Sequence, residues 1–197
     1  MGKIFFISDT ETTGFNPATA DAIEVAILKV EHTGDKFKVL DSLDIYIDPG
    51  YPLPEKIVEF NEKNHTGIND ALLAKSPSPK EAARKISDFF GWRPTVVGHN
   101  FESFDVGFID KLYRQLDKSF TPKTIVDTLT LSRKFEPVGS HKLGVMFEKT
   151  DKTYSSASPK FHTAIADCYA TLDVLDYLMK THDSHILSPV REQTFER

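Results

Sequence analysis

Two carboxylates stand two residues apart where the first apolar run of the chain ends. The run is Ile4, Phe5, Phe6 and Ile7, followed by Ser8, Asp9, Thr10, Glu11, Thr12, Thr13 and Gly14. Residues 4 to 7 are apolar and β-prone, and Gly14 with the Asn16-Pro17 step ends the run, so the pattern predicts a buried strand and then a turn. On a strand, positions i and i+2 project to one side. Asp9 and Glu11 are therefore expected side by side next to a hydrophobic core. Like charges at about 4 Å repel by roughly 4 kcal/mol at an effective dielectric near 20. A folded chain tolerates such a pair when a cation bridges it or when one member takes up a proton. A hard, oxygen-seeking dication such as Mg²⁺ or Mn²⁺ suits the donor set.

Three more carboxylates keep suggestive company. Asp105 follows Gly98-His99-Asn100 and is expected about a turn into a helix that starts where a short buried strand ends, an edge where open α/β sheets bind ligands. Asp167 follows His162 by five residues, with small residues (Ala164, Ala170, Thr171) that would let its helix approach a sheet closely. Asp127 ends a short strand, Ile125-Val126-Asp127. Each has an ordinary reading when taken singly. Asp105 fits a helix-dipole partner, His162 fits a surface cap, and an Asp-x-Glu after a strand fits a turn.

Taken together and in order, the pieces are more specific. Asp-x-Glu-Thr-Thr-Gly near the start, His-Asn-x-x-x-Phe-Asp in the middle and His-x-Ala-x-x-Asp near the end resemble the DEDDh exonuclease family. This is the DnaQ-like branch, which includes the proofreading epsilon subunit of bacterial DNA polymerase III. The resemblance spans about residues 3 to 180. It implies a ribonuclease H-like α/β fold, a five-stranded mixed sheet with helices on both sides. It places the family's four acidic residues on Asp9, Glu11, Asp105 and Asp167 and its general base on His162. A His five residues before the last Asp marks this branch. The segment Asn64-His65-Thr66-Gly67-Ile68 looks like the one that brings a His and an Ile to the terminal nucleotide. Asp127-Thr128-Leu129 followed by His141-Lys142-Leu143 is also family-like.

Phosphodiester hydrolysis needs an activated water, a neutralised phosphate and a stabilised leaving oxygen, and two metal ions can supply all three. In this reading Asp9 bridges two divalent ions, Mg²⁺ or Mn²⁺. Glu11 and Asp167 complete the site that holds the attacking water, and Asp105 supports the second ion directly or through a water. His162 takes the proton as general base. The main-chain amides of Thr12 and Thr13 are candidates to hold the terminal sugar. His65 and Phe104 are candidates to contact the terminal base. Phe104 equally fits the core stripe of its helix, and His65 a solvated turn. Lys142, Lys149, Lys152 and Lys160 could follow the nucleic-acid backbone or simply balance surface charge.

The expectation is a metal-dependent 3′–5′ exonuclease that releases 5′-mononucleotides from single-stranded DNA or the 3′ ends of duplex DNA. An exoribonuclease or oligoribonuclease of the same family is the nearest alternative. A catalytically silent module that binds nucleic acid or protein is the more distant one. A DNA polymerase is a candidate protein partner, and no membrane is expected.

The elements that must position these groups can be read from the same sequence. Strands are predicted at residues 22 to 30 and 37 to 47, joined by a Gly34-Asp35 hairpin. A short helix follows over 55 to 61, with a turn at 64 to 69. Ser78, Pro79 and Glu81 carry the capping-box signature of a helix start. Thr95 to Val97 is a short strand, after which Asn100 is expected to cap a helix with Phe104, Phe108, Leu112 and Leu116 on one face. A helix from 128 to about 134, a short one near 142 to 147 and a long one from about 163 to 180 complete the pattern. Strands come first and then alternate with helices, so a mixed α/β sheet covered by helices is expected.

Bulk properties agree. A length of 197 residues suits one domain, assigned to residues 1–180, with a flexible tail at 181–197. A net charge of −5 argues against coating nucleic acid by a global field. Cys168 is the only cysteine, so no internal disulfide can form. No apolar run approaches membrane-spanning length, and a soluble cytoplasmic protein is expected.

Overall fold

The computed structural model describes residues 2–34, 36–155 and 162–182. β1 (Lys3–Thr12) is the central strand and runs longer than its apolar run alone implies. It pairs antiparallel with β2 (Ala22–Thr33), which pairs antiparallel with the edge strand β3 (Lys36–Tyr46). On its other side β1 pairs parallel with β4 (Thr95–Gly98), and β4 pairs parallel with β5 (Thr124–Asp127). The sheet order is β3-β2-β1-β4-β5, a five-stranded mixed sheet with helices on both faces. The expected fold class is therefore the observed one.

The alternation of β1 divides the molecule into two layers. Phe5 and Ile7 face α7 (Ala164–Thr181) and α6 (Leu143–Phe147), where Met146, Phe147, Cys168, Leu172 and Leu175 close the core. Phe6 faces the opposite way, toward α3 (Pro79–Phe90) and α4 (Asp105–Arg114). Each fully buried Leu, Ile or Phe contributes roughly 1.5–3 kcal/mol, so both helix layers are held firmly against the sheet. A third, smaller cluster of Ile23, Leu53, Ile68 and Leu73 seats α1 (Glu55–Asn64) and α2 (Asp70–Leu73). The sequence reading did not include α2, a single turn capped by Asn69, which accepts from the Leu72 amide at 3.0 Å.

Local signals explain most boundaries. The capping box at Ser78 and Glu81 is present in both directions. The start of α4 differs from expectation. Asn100 does not cap it: its backbone is left-handed (φ 65°), and the helix begins only at Asp105. The reason lies in the turn. Phe101 packs directly over Gly98, where any side chain would collide with its ring. The Asn100 and Glu102 amides are drawn to the Asp127 carboxylate at 3.1 and 3.2 Å. That carboxylate also caps α5 (Thr128–Phe135) through the Leu129 and Thr130 amides. Asp127 is thus a knot between two turns, not a free acid.

Candidate active site

The catalytic candidates gather at the end of β1 where β4 also ends. Asp9 and Glu11 lie on the α7 side of the sheet, continuing the alternation of Phe5 and Ile7. α7 comes close because its contact face is small. The Cys168 thiol reaches the carbonyls of Ile7 and Ala26 at 3.6 and 3.5 Å. That approach brings Asp167, one residue earlier, to the strand end. One carboxylate oxygen from each of Asp9, Glu11 and Asp167 lies within 4.8 Å of the others. Asp105 belongs to the opposite layer and stands outside this trio. Thr10, which points to that layer, donates its hydroxyl to Asp105 Oδ1 at 2.7 Å and holds the carboxylate at the same strand end.

The electrostatics are those of buried carboxylates crowded against one another. Burial, followed by the charges of Asp105, Asp167 and Glu11, pushes Asp9 well above the usual carboxylate range. Burial and the charges of Asp167 and Asp105 raise Glu11 to about 8. Burial raises Asp105 to about 7 against the pull of the Thr10 hydroxyl. Burial raises Asp167 to about 7, although the main-chain N–H of His162 hydrogen-bonds to it and works the other way. Asp167 Oδ1 is buried with no hydrogen-bond partner. An orphaned carboxylate oxygen is costly to bury, and a dication removes that cost. Oxygen-only donors with an unpartnered oxygen between them fit a hard divalent ion.

His162 is exposed and has a left-handed backbone (φ 72°). Its main chain is tied to Asp167, and its ring meets the edge of Phe60 from α1, with 5.3 Å between ring centres. The other expected substrate contacts are scattered. His65 is exposed at the left-handed end of α1. Phe104 is half-buried against Phe108. Thr12 donates its hydroxyl to the Gly14 carbonyl at 2.7 Å. The Thr13 amide, expected to face the sugar, instead donates to the Asp21 carbonyl at 2.8 Å, because Thr13 closes the β1–β2 hairpin. Lys149 and Lys152 are committed to ion pairs with Glu136 and Glu148. Lys160 and the tail beyond His182 lie outside the described residues.

Sequence reasoning overlooked two residues. Phe15 is 92% exposed beside the site, and its ring stands edge-on to Phe104 with 6.5 Å between centres. An aromatic residue in an otherwise polar, Gly- and Pro-bounded turn was the available signal. Glu24 is wholly buried in β2, directly opposite Glu11. Burial and the neighbouring Asp44 raise it to about 9. A lone acid within the apolar run from residue 22 to 28 was its signal.

Comparison with known proteins decides the family. A sequence model of the RNase_T family of exonucleases matches residues 6–175. The chain belongs to that family. It is 31% identical over 179 residues to the PolC-type DNA polymerase III of Bacillus cereus, covering 90% of this chain and 11% of the polymerase. It is 34% identical over 170 residues to the PolC-type polymerase of Staphylococcus aureus, again covering 11% of it. The chain thus corresponds to a small part of each polymerase. Among solved structures, exonuclease X in complex with 5′-overhanging duplex DNA aligns with a TM-score of 0.68 at 21% identity, covering 90% of this chain and 92% of that one. E. coli exonuclease I in complex with a dT13 oligonucleotide aligns with a TM-score of 0.71 at 22% identity, covering 93% and 42%. As a member of the RNase_T exonucleases, the chain carries the DnaQ-like resemblance and the ribonuclease H-like fold expected of it.

Proposed function

We propose that this RNase_T-family chain is a 3′–5′ exonuclease that removes 5′-mononucleotides from DNA ends, using two divalent ions and His162 as general base. The observation that supports this most is the meeting of Asp9, Glu11 and Asp167 within 4.8 Å, with Asp105 tethered beside them. Asp9, Glu11, Asp105 and Asp167 would hold Mg²⁺ or Mn²⁺. When bound, the ions would neutralise the scissile phosphate, activate the attacking water and stabilise the leaving 3′ oxygen.

The remaining work falls to the chain itself. His162 lies outside the acidic trio, and its main-chain tie to Asp167 keeps it beside the site, which supports giving its imidazole the proton and not a ligand's role. Phe15 and Phe104 form an exposed aromatic edge on which a base can stack regardless of its identity. His65 extends the surface at the end of α1. DNA is favoured over RNA because the relatives matched along most of the chain are DNA polymerases and the solved neighbours hold DNA.

The test is digestion of an oligonucleotide labelled at its 5′ end, in DNA and RNA versions, with Mn²⁺ and then with a chelator. The expected result is a ladder shortening from the 3′ end, faster for DNA, with 5′-mononucleotide as product and no reaction after chelation. Shortening from the 5′ end, or internal cuts, would refute the reading. Asp9→Ala should lose both metal binding and activity. His162→Ala should keep metal and lose activity.

A further inference from the structure

Glu24 has no place in the chemistry proposed above, yet it is the least exposed acid among the described residues. Its exposure is 0%, and it lies near the start of β2 across from Glu11. Its Oε2 accepts the main-chain N–H of Ala164 at 3.2 Å. Ala164 is the first residue of α7, whose N-cap, Thr163, makes no side-chain capping bond. The first N–H groups of a helix have no partner within the helix. Here one of them is met from across the sheet. The other oxygen, Oε1, is buried, and the Asp44 carboxyl hydrogen-bonds to the Glu24 side chain.

The consequence reaches the acidic trio. Asp167 lies three residues beyond Ala164, in the first turn of α7, and His162 lies two residues before it. A shift of the helix start would therefore move one carboxylate of the trio and the base candidate together. Asp9 and Glu11 would stay fixed, because β1 keeps its pairing with β2 through both residues. We infer that Glu24 is a positioning residue that hooks the first turn of α7 to the sheet and so sets the distance of Asp167 from Asp9 and Glu11. It acts as a hydrogen-bond acceptor, not as a metal ligand. This rests on the proposed metal site at those three residues.

The experiment compares Glu24→Gln and Glu24→Met in the full chain. Gln keeps an acceptor for the Ala164 amide, whereas Met fills the same space without one. Mn²⁺ affinity is measured by calorimetry, and amide exchange at Ala164 by NMR. Glu24→Gln should hold Mn²⁺ within about twofold of the unaltered chain. Glu24→Met should weaken it by about tenfold, the equivalent of losing one well-placed hydrogen bond, and should expose the Ala164 amide to exchange.

Three results would overturn the inference. Wild-type Mn²⁺ affinity in Glu24→Met would show that the hook is idle. A Glu24→Gln variant as damaged as Asp167→Asn would make Glu24 a ligand. Fast exchange of Ala164 in the unaltered chain would show that the hydrogen bond is not kept, and this check needs no variant to fold. If the unaltered chain binds no Mn²⁺, the metal reading fails. The hook itself then still stands or falls on the exchange of Ala164 in the two variants.

Discussion

At the scale of single residues, the site is a set of carboxylates held against their own preference. Glu11 is raised to about 8 and Asp105 and Asp167 to about 7, all chiefly by burial, while their ordinary values lie near 4. A carboxyl whose pKa is higher in the folded state binds more protons there than in the unfolded chain at any pH between the two values. Stability therefore falls as pH rises through that window. Without divalent ions, the thermal midpoint should fall steadily between about pH 4.5 and 8. Added Mn²⁺ should raise it far more at pH 8 than at pH 5.5, because at the lower pH the ion must displace protons. A scanning-calorimetry series with and without Mn²⁺ checks both slopes, and a midpoint that climbs over this range without metal would contradict the pKa assignments. The contact between His162 and Phe60 makes a second prediction. Phe60 is 40% exposed, so Phe60→Ala should leave the thermal midpoint nearly unchanged. It should lower kcat by up to about tenfold, the upper range for an aromatic pair, with KM little altered.

At the scale of elements, the strand end and the two helices that flank it are assembled by devices of unequal visibility. The Asp-x-Glu pair was legible because a period of two on a strand fixes which way side chains point. The Ser78 capping box was legible because its signature is local. The start of α4 was not, since it depends on Phe101 packing over Gly98 and on Asp127 collecting two amides from a turn 25 and 27 residues earlier. The same limit hid Glu24, whose partner Ala164 is 140 residues away. The Thr13 amide was misjudged for a related reason: its acceptor is set by how the β1–β2 hairpin closes. Asp127→Ala should therefore do more than uncap α5. It should cost about 1–3 kcal/mol in urea unfolding, adding a lost cap to charge-assisted bonds. It should also weaken Mn²⁺ binding, because the turn that delivers Asp105 loses its anchor. Mn²⁺ affinity equal to that of the unaltered chain would show that the turn keeps its shape without Asp127.

At the scale of the whole molecule, one mixed sheet carries two helical layers, and the site forms where both layers reach the end of β1. Asp167 arrives from one side and Asp105 from the other. The order of motifs in the chain revealed this convergence, whereas the layer from which each acid comes needed the fold. α7 continues to Thr181, and His182 stacks on Phe135 and reaches Glu136 at 3.2 Å. A chain ending at His182 should match the full chain in thermal midpoint. One ending at Lys180 should melt about 2–4 °C lower for each kcal/mol these contacts supply. Equal midpoints for the two truncations would show that the His182 contacts contribute nothing.

The central claim is that four acidic residues distant in sequence meet to hold divalent cations. The most direct measurement is anomalous X-ray scattering from crystals equilibrated with Mn²⁺. Manganese density is expected in contact with Asp9, Glu11 and Asp167, with Asp105 on its border. Manganese bound only elsewhere on the surface, or none at saturating concentration with those four side chains ordered and apart, would contradict it.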